Sequence, residues 1–205
     1  PMLTWLVEKI PSRIPVTVST NAVFAEDFEK WKTECHAELG EACHTKNEVA
    51  LRRTQGDTIH ILIEDAGHED EKLGALGAVA KWIEEEHIKE DVLLLAGDNY
   101  VGFSIDAFLK KFDGKPLLAV YDIGEREQAK QFGTVICEES ILTHGTYRVT
   151  AFEEKPAHPQ STLISTGIYI IPSDMLTNVV SYAKEHPDRS EEHTSELQSP
   201  DHLVC

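Results

Sequence analysis

Short strand-like segments alternate with helix-like segments along the first 121 residues, and this alternation constrains the fold more than any other feature of the sequence. Strands are predicted where β-branched or apolar residues cluster, at 16–19, 58–64, 92–95 and 117–121. Helices are predicted where apolar residues recur at intervals of three and four, at 1–10, 24–31, 73–83 and 105–112. Such alternation is typical of a parallel sheet built from βαβ units.

The pattern changes after residue 121. Residues 134–137, 146–152 and 163–171 are strand-like with no helical segment between them, and 174–184 is helical again. The sequence therefore predicts an α/β fold with a mixed, mostly parallel sheet and helices on both faces. The antiparallel section belongs either to one mixed-sheet domain or to a β excursion from it.

The acidic balance of the chain excludes some functions. Asp and Glu number 36 against 19 Lys and Arg, a net charge of −17, which argues against a general nucleic-acid binder. The apolar run at 92–96 is too short to cross a bilayer, and no signal peptide is recognisable. The four cysteines are scattered and too few for a disulfide framework. We therefore expect a cytoplasmic protein without nucleic-acid or membrane partners, and a homo-oligomer remains open.

Both ends of the sequence differ from an ordinary domain boundary. Residues 189–199 lack helical or strand periodicity and resemble the in-frame translation of a common sequencing adapter. We therefore exclude 189–205 from the fold and expect a partial domain over 1–188. Residues 1–10 already form a helix with nothing before them, so the front also reads as incomplete.

The strongest candidate for chemistry follows the apolar segment at 92–95. Gly97 permits a close turn there, and Asp98 and Asn99 follow it. Ligands of open parallel sheets bind beyond the carboxyl ends of strands, and a carboxylate there can hold Mg²⁺ against substrate phosphates. The alternative is an ordinary turn without a ligand.

Two further segments carry weaker signals. Gly74 and Gly77 open a predicted helix, where backbone N–H groups can approach a base or phosphate, although close helix packing explains small residues equally well. Glu154 and Lys155 follow a predicted strand and can hold sugar hydroxyls and a phosphate, although a solvated salt-bridging turn is the usual meaning of such a cluster. The pairs Cys35-His36 and Cys43-His44 do not match a zinc-finger spacing, so we predict no zinc site.

Taken in order, seven segments resemble the sugar-1-phosphate nucleotidyltransferase family, which includes glucose-1-phosphate thymidylyl- and uridylyltransferases and mannose-1-phosphate guanylyltransferases. They span residues 1 to about 184: Pro1-Met2-Leu3, Val18-Ser19-Thr20-Asn21, Leu73-Gly74-Ala75-Leu76-Gly77-Ala78, Leu95-Ala96-Gly97-Asp98-Asn99, Phe132-Gly133-Thr134-Val135, Phe152-Glu153-Glu154-Lys155-Pro156 and Ser165-Thr166-Gly167-Ile168-Tyr169. The resemblance implies a Rossmann-like sheet of the nucleotide-diphospho-sugar transferase type, incomplete in this chain. The segment at 36–57 has no counterpart.

The resemblance also implies roles at the catalytic centre and on the nucleotide side. Asp98 matches the first metal-binding aspartate, with Mg²⁺ as the cofactor, and Lys155 matches the lysine on the sugar phosphate. Asn99 would lie beside the sugar nucleotide. Gly74 and Gly77 match the loop that faces the base.

On the sugar side, the resemblance implies contacts from Gly133, Glu154, Ser165 and Thr166. The family's glycine-rich signature with its catalytic Arg and Lys would lie before residue 1, and its second metal-binding aspartate would lie beyond the adapter junction. We therefore expect the 205-residue chain itself to be inactive.

The implied reaction transfers a nucleotidyl group from a nucleoside triphosphate to a sugar 1-phosphate and releases pyrophosphate. The Gly-Asp-Asn segment favours thymidine or uridine triphosphate, while guanosine and cytidine remain open, and the sugar is not predicted. One alternative is a non-catalytic regulatory or binding relative of the same fold. A glycosyltransferase with a related sheet ranks last, because it would carry two aspartates at the strand end and this chain has only Asp98 there.

Overall fold

A computed structural model describes residues 2–41, 59–64, 74–141 and 146–186, apart from the side chains of 35–41 and 139–141. The helices are α1 (Met2–Lys9), α2 (Ala25–Glu41), α3 (Gly74–Glu85), α4 (Ile105–Leu109), α5 (Arg126–Ala129) and α6 (Leu176–Glu185). The strands are β1 (Val16–Asn21), β2 (Ile59–Glu64), β3 (Val92–Leu95), β4 (Leu117–Asp122), β5 (Gly133–Ile141), β6 (Tyr147–Glu154) and β7 (Leu163–Ile171). The chain divides into two compact units: the first comprises 1–73 and 100–107, and the second 74–99 and 108–205.

The first unit contains a parallel pair of strands. β1 and β2 pair from Val16 opposite Ile59 to Asn21 opposite Glu64. Leu6 and Val7 of α1 are buried, because they fall on the apolar face that the three-and-four spacing predicts.

The second unit is organised around β7, which pairs with strands on both edges. β4 runs antiparallel along one edge, from Leu117 opposite Ile170 to Asp122 opposite Leu163. β3 and β5 share the other edge: Leu95 lies opposite Ile168, and Thr134 lies opposite Ile164. β6 then pairs with β5 as an antiparallel neighbour. β3 and β4 therefore run in the same direction with β7 inserted between them.

Two helices cover one face of this sheet. α3 and α6 contribute apolar side chains that pack with residues of all five strands in one buried cluster: Leu76, Ile83, Val92, Leu118, Val135, Val149, Tyr169, Ile171, Leu176 and Val179. Lys184 of α6 contacts Glu84 of α3 at the surface, with Nζ and Oε1 2.6 Å apart. Burial of this cluster holds the second unit together, since each buried aliphatic side chain contributes on the order of 1.5–3 kcal/mol.

The structure confirms the α/β class and the predicted order of strands and helices in the described ranges. The segment at 105–112 ends its helix at Leu109, because the N–H groups of Lys111 and Phe112 bond to carbonyls only three residues back. α5 was not predicted, since four residues are too few to show a period. Residues 42–58 and 187–205, which include most of the 36–57 segment and the adapter-like tail, lie outside the described residues.

The share of antiparallel pairing is larger than the sequence predicted. Among the described strands, β1 and β2 form a parallel pair, and every pairing in the second unit is antiparallel. The difference arises because β7 returns along the sheet and separates β3 from β4. Hydrophobic patterning gives the existence of a strand but not its neighbours.

Leu118 tests the packing of this core. It is 1% exposed on β4, whereas Tyr121 on the same strand is 61% exposed. We predict that Leu118→Ala lowers the free energy of unfolding by about 2–5 kcal/mol, because a cavity remains beneath α3 and α6. Urea denaturation measures the free energy of unfolding, with Tyr121→Ala as the control. Equal losses from the two substitutions would contradict the described core.

Candidate active site

The loop after β3 presents a carboxylate at the end of the strand. The N–H of Ala96 donates to the carbonyl of Gly167 at 3.2 Å, so pairing with β7 continues one residue beyond β3. The N–H of Asn99 donates to the carbonyl of Ala96 at 3.2 Å and closes a turn. Asp98 lies at the exposed tip of this turn, where its carboxylate is accessible to a ligand.

Asn99 attaches the loop to β7 through its side chain. Its amide Nδ2 donates to the carbonyl of Thr166. The Thr166 hydroxyl in turn donates to the carbonyl of Ala119 on β4, with 2.6 Å between the oxygens. The structure therefore brings two sequence-predicted groups together, the Asp98–Asn99 loop and the Ser165–Thr166 segment.

Three of the predicted residues, among them Ser165, form a row across the sheet. Glu154 lies opposite Gly133 in the pairing of β6 with β5. Because Thr134 lies opposite Ile164, the adjacent Gly133 falls beside Ser165 of β7. The Ser165 hydroxyl hydrogen-bonds the Tyr169 hydroxyl at 2.8 Å. We call Glu154, Gly133 and Ser165 the sugar row.

The sugar row lies on the sheet face that α3 and α6 cover. Residues two apart on a strand share a face. Val135 and Phe152, two residues from Gly133 and Glu154, pack in or against the buried cluster under these helices. The sugar row therefore lies on the same face as the buried cluster. Its residues are only partly buried.

Gly133 is required by its surroundings. A Cβ atom built on it would lie 2.4 Å from Cζ of Phe152 and 2.9 Å from Oε2 of Glu154. Real Cβ atoms do not approach other heavy atoms that closely, so a side chain here would displace the aromatic ring and the carboxylate. The resemblance implies a sugar contact for Gly133, and the structure gives a physical reason for glycine at this position.

Lys155 has a strained backbone. Its φ is +40°, a region that non-glycine residues seldom adopt, and Pro156 follows it. Its N–H donates to the carbonyl of Phe132 at 3.2 Å, which extends the pairing of β5 and β6 by one residue. Strain of this kind concentrates at functional sites, and the exposed Lys155 side chain belongs to the residue that follows Glu154 in sequence.

Gly74 and Gly77 occupy the start of α3. Gly74 has φ +65°, and Gly77 is half-buried within the first turn. The first turn of α3 contains no acidic residue, so its N–H groups keep their attraction for an anion. Gly74 and Gly77 therefore lie at the N-terminus of a helix and do not belong to the sugar row. The residues before Gly74, at 65–73, lie outside the described part of the chain.

Sequence reasoning gave no role to two residues of the site region, although both stand in segments that carry the family resemblance. Gly167 has φ +70° in the interior of β7, and Phe152 covers Gly133. The signal for Gly167 was available, because a glycine inside an apolar strand often marks a bulge or a close backbone approach. The role of Phe152 depends on a cross-strand contact that no local pattern reveals.

Asp122 at the end of β4 carries a perturbed carboxyl group. A hydrogen bond from the Thr162 side chain, and a second from the Gly124 N–H, hold the pKa of Asp122 below its ordinary value of 3.8. A lowered pKa means that these bonds favour the folded state above that value and are lost as the pH falls through the folded-state pKa. The group fixes the turn between β4 and α5.

The described residues contain neither a cluster of metal-binding side chains nor a membrane-spanning helix. In the parts of the chain that the structure describes, no three His, Cys, Asp or Glu side chains are grouped to hold a metal ion. Cys35 and His36 lie in α2 without a described side chain, and Cys43 and His44 lie outside the described ranges, so the absence of a zinc site stays a prediction. No described helix is long and apolar enough to cross a membrane.

A separate groove of about 650 Å³ lies between the end of α3 and the start of α6. Its walls include Ile83, Ile88, Leu176 and Val180. It contains none of the residues that the sequence predicted for the site. We therefore place the candidate site at the β3 loop and the sugar row rather than in this groove.

Comparison with known proteins decides the family. The pattern of the family described as Nucleotidyl transferase matches residues 15–200. The chain belongs to this family. The resemblance to a nucleotidyltransferase family, drawn from seven short segments, is thereby confirmed.

Curated relatives match over shorter stretches. The chain is 34% identical over 104 residues to the glucose-1-phosphate adenylyltransferase of Thermomicrobium roseum, which is 49% of this chain and 22% of the relative. It is 35% identical over 124 residues to the enzyme of that name from Thermotoga maritima, which is 57% of this chain and 27% of the relative. The chain thus spans about a quarter of the length of these relatives.

Solved structures share the fold. An apo UDP-glucose pyrophosphorylase aligns with a TM-score of 0.67 at 15% identity, over 100% of this chain and 77% of that one. A putative glucose-1-phosphate thymidylyltransferase from Bacillus anthracis, in complex with a sucrose, aligns with a TM-score of 0.68 at 18% identity, over 97% and 68%. At these identities the likeness establishes the fold of this family member and nothing further.

Substitution at Gly133 tests the sugar row. We predict that Gly133→Ala weakens binding of a sugar 1-phosphate at least tenfold, because the new methyl group displaces the Phe152 ring and the Glu154 carboxylate. Titration calorimetry on the full-length protein measures the affinity. Gly102→Ala is the control, since its Cβ would meet only Tyr100, at 3.7 Å. Unchanged binding in Gly133→Ala would remove Gly133 from the site.

Proposed function

We propose that this protein transfers a nucleotidyl group from a nucleoside triphosphate to a sugar 1-phosphate. A phosphate oxygen of the sugar 1-phosphate attacks the α-phosphorus, the bond to the β-phosphate oxygen breaks, and pyrophosphate leaves. No protein nucleophile takes part. Catalysis then rests on positioning the two substrates and on cancelling the charge of their phosphates.

One observation carries this proposal: the Asp98 loop and the sugar row are built on the same strand within one compact unit. Asn99 is bonded to Thr166 of β7, and Ser165, the next residue along β7, belongs to the row. A carboxylate for a metal is therefore attached to the same edge as side chains that suit sugar hydroxyls. Nucleotidyl transfer requires a site for the triphosphate and a site for the sugar 1-phosphate close to each other.

Each residue then has a chemical task. The Glu154 carboxylate accepts hydrogen bonds from sugar hydroxyls. The exposed Lys155 ammonium neutralises the sugar phosphate as a point charge. Gly133 leaves the space that the Phe152 ring and the Glu154 carboxylate occupy, and Ser165 and Thr166 bound the sugar on β7. On the nucleotide side, Asn99 orients the sugar nucleotide, while the N–H groups near Gly74 and Gly77 approach the base.

The donor set at Asp98 fits Mg²⁺. A hard carboxylate exposed at a loop tip matches the preference of Mg²⁺ for oxygen, and Mg²⁺ is commonly held by one or two carboxylates together with substrate phosphates. When bound, Mg²⁺ polarises the phosphates and offsets the negative charge that develops on the leaving group.

The choice of base remains part of the proposal. The Gly-Asp-Asn segment favours thymidine or uridine triphosphate, whereas the curated relatives are named as adenylyltransferases. All of these triphosphates carry the same phosphate chain, so the site described here suits each of them equally. A screen of five triphosphates against glucose 1-phosphate and mannose 1-phosphate, read by pyrophosphate release, assigns the pair.

Removal of the Asp98 carboxylate tests the reaction. We predict that Asp98→Ala lowers kcat for Mg²⁺-dependent pyrophosphate release by about 100-fold or more, since metal stabilisation of phosphoryl charge contributes several kcal/mol. Asp106→Ala is the matched control, because its salt bridge with Arg13 is solvent-exposed and such pairs contribute little. Both variants are made in the full-length protein. Turnover in Asp98→Ala equal to that in Asp106→Ala would contradict the role of Asp98.

The same assay separates the alternatives. A regulatory or binding relative would bind sugar 1-phosphate or nucleotide without releasing pyrophosphate. Cys35→Ser should keep near-normal turnover, and loss of activity in that variant would overturn our rejection of a zinc site.

A further inference from the structure

The pairing of β7 with β4 is irregular at the site. Leu118 lies opposite Tyr169, yet Val120 lies opposite Ser165. One residue of β4, Ala119, therefore faces three residues of β7, at 166–168. Such a bulge redirects the strand locally and is over-represented next to active sites.

Gly167 lies within this bulge and is constrained in two ways. Its φ of +70° is a conformation that favours glycine. A Cβ atom on it would lie 3.2 Å from Cβ of Ala96 and 3.3 Å from Nδ2 of Asn99. Both atoms belong to the loop that presents Asp98, so the surface of Gly167 is in direct contact with that loop.

Backbone groups of the bulge also hold the loop. The Gly167 carbonyl accepts from the N–H of Ala96 at 3.2 Å, and the Thr166 carbonyl accepts from the Asn99 amide. The Thr166 hydroxyl bonds to Ala119, which fixes the bulge against β4. The position of the loop is thus set by the conformation of two residues on another strand.

We propose that Gly167 is a positioning residue, which sets the Asp98–Asn99 loop against the sugar row through the bulge in β7. It touches neither substrate and acts through Ala96 and Asn99. Its effect on turnover rests on the proposed function, whereas its effect on the loop does not. The Gly167 N–H also donates to Oγ of Ser165 at 3.5 Å, so a change at Gly167 reaches the sugar row through that one contact. We therefore expect a larger effect on the metal and nucleotide side than on sugar binding.

Gly167→Ala tests this proposal, with Gly114→Ala as the matched control. Gly114 also has a positive φ, +89°, but a Cβ on it would meet nothing within 4 Å. The two substitutions impose similar backbone strain, and only the first presses on the loop. In the full-length protein, we predict a fall in kcat of about 10–100-fold and a rise of about tenfold in the Mg²⁺ concentration for half-maximal activity in Gly167→Ala. The KM for sugar 1-phosphate should rise by a smaller factor than kcat falls, and Gly114→Ala should match the unsubstituted protein.

Hydrogen exchange provides a readout that does not depend on turnover. The amide of Ala96 should exchange at least tenfold faster in Gly167→Ala than in Gly114→Ala, because its bond to the Gly167 carbonyl is disturbed. If Gly167→Ala fails to fold, the double variant Ala96→Gly/Gly167→Ala, which removes the 3.2 Å contact, should restore folding. Failure of both variants to fold, with Gly114→Ala folded, would overturn the proposal, since the damage would then not arise from contact with the loop. Equal Ala96 exchange in Gly167→Ala and Gly114→Ala would overturn the proposal. So would a rise in the KM for sugar 1-phosphate as large as the loss in kcat, since that marks general damage to the fold.

The two proposals fail separately. Absence of pyrophosphate release from the unsubstituted protein with every substrate pair would overturn the proposed function. Faster Ala96 exchange in Gly167→Ala would still support control of the loop by the bulge.

Discussion

Backbone hydrogen bonding along both edges of β7 is the interaction on which the second unit depends. β4 occupies one edge, and β3 and β5 divide the other, so one strand fixes the relative positions of three. Buried Ile168, Tyr169 and Ile170 anchor its second half in the core. The first half carries the polar residues Ser165 and Thr166 of the proposed site. One strand therefore contributes to the core at one end and to the proposed site at the other.

The division of one edge between β3 and β5 explains where the site lies. β3 stops at Leu95 and β5 begins at Gly133, and the loop that carries Asp98 fills the space between them on β7. Without this loop, the backbone carbonyls of Thr166 and Gly167 would lack their hydrogen-bond donors. The bonds from Ala96 and Asn99 to Gly167 and Thr166 satisfy them and hold the loop in place. In the proposed function, a local ammonium and a metal would neutralise the phosphates, so the acidic balance of the chain would not prevent their binding.

Much of this could be predicted from the sequence, and the remainder has a physical cause. Val92–Leu95 and Leu163–Ile171 read as strands because their apolar runs are local signals. Asp98, Glu154 and Lys155 stood out because they follow such strands. The position of β7 between β3 and β4, the contact of Phe152 with Gly133, and the bulge at Gly167 depend on residues far apart in sequence. Local periodicity contains no information about which strands pair.

The most direct test of the proposed site is a crystal structure of the full-length protein with Mn²⁺ and a sugar nucleotide, with the metal located by anomalous scattering. We predict an anomalous peak at the Asp98 carboxylate, the sugar against Glu154 and the backbone of Gly133, and the phosphates near Lys155. A sugar nucleotide bound in the groove between α3 and α6, or a metal bound away from Asp98, would contradict it.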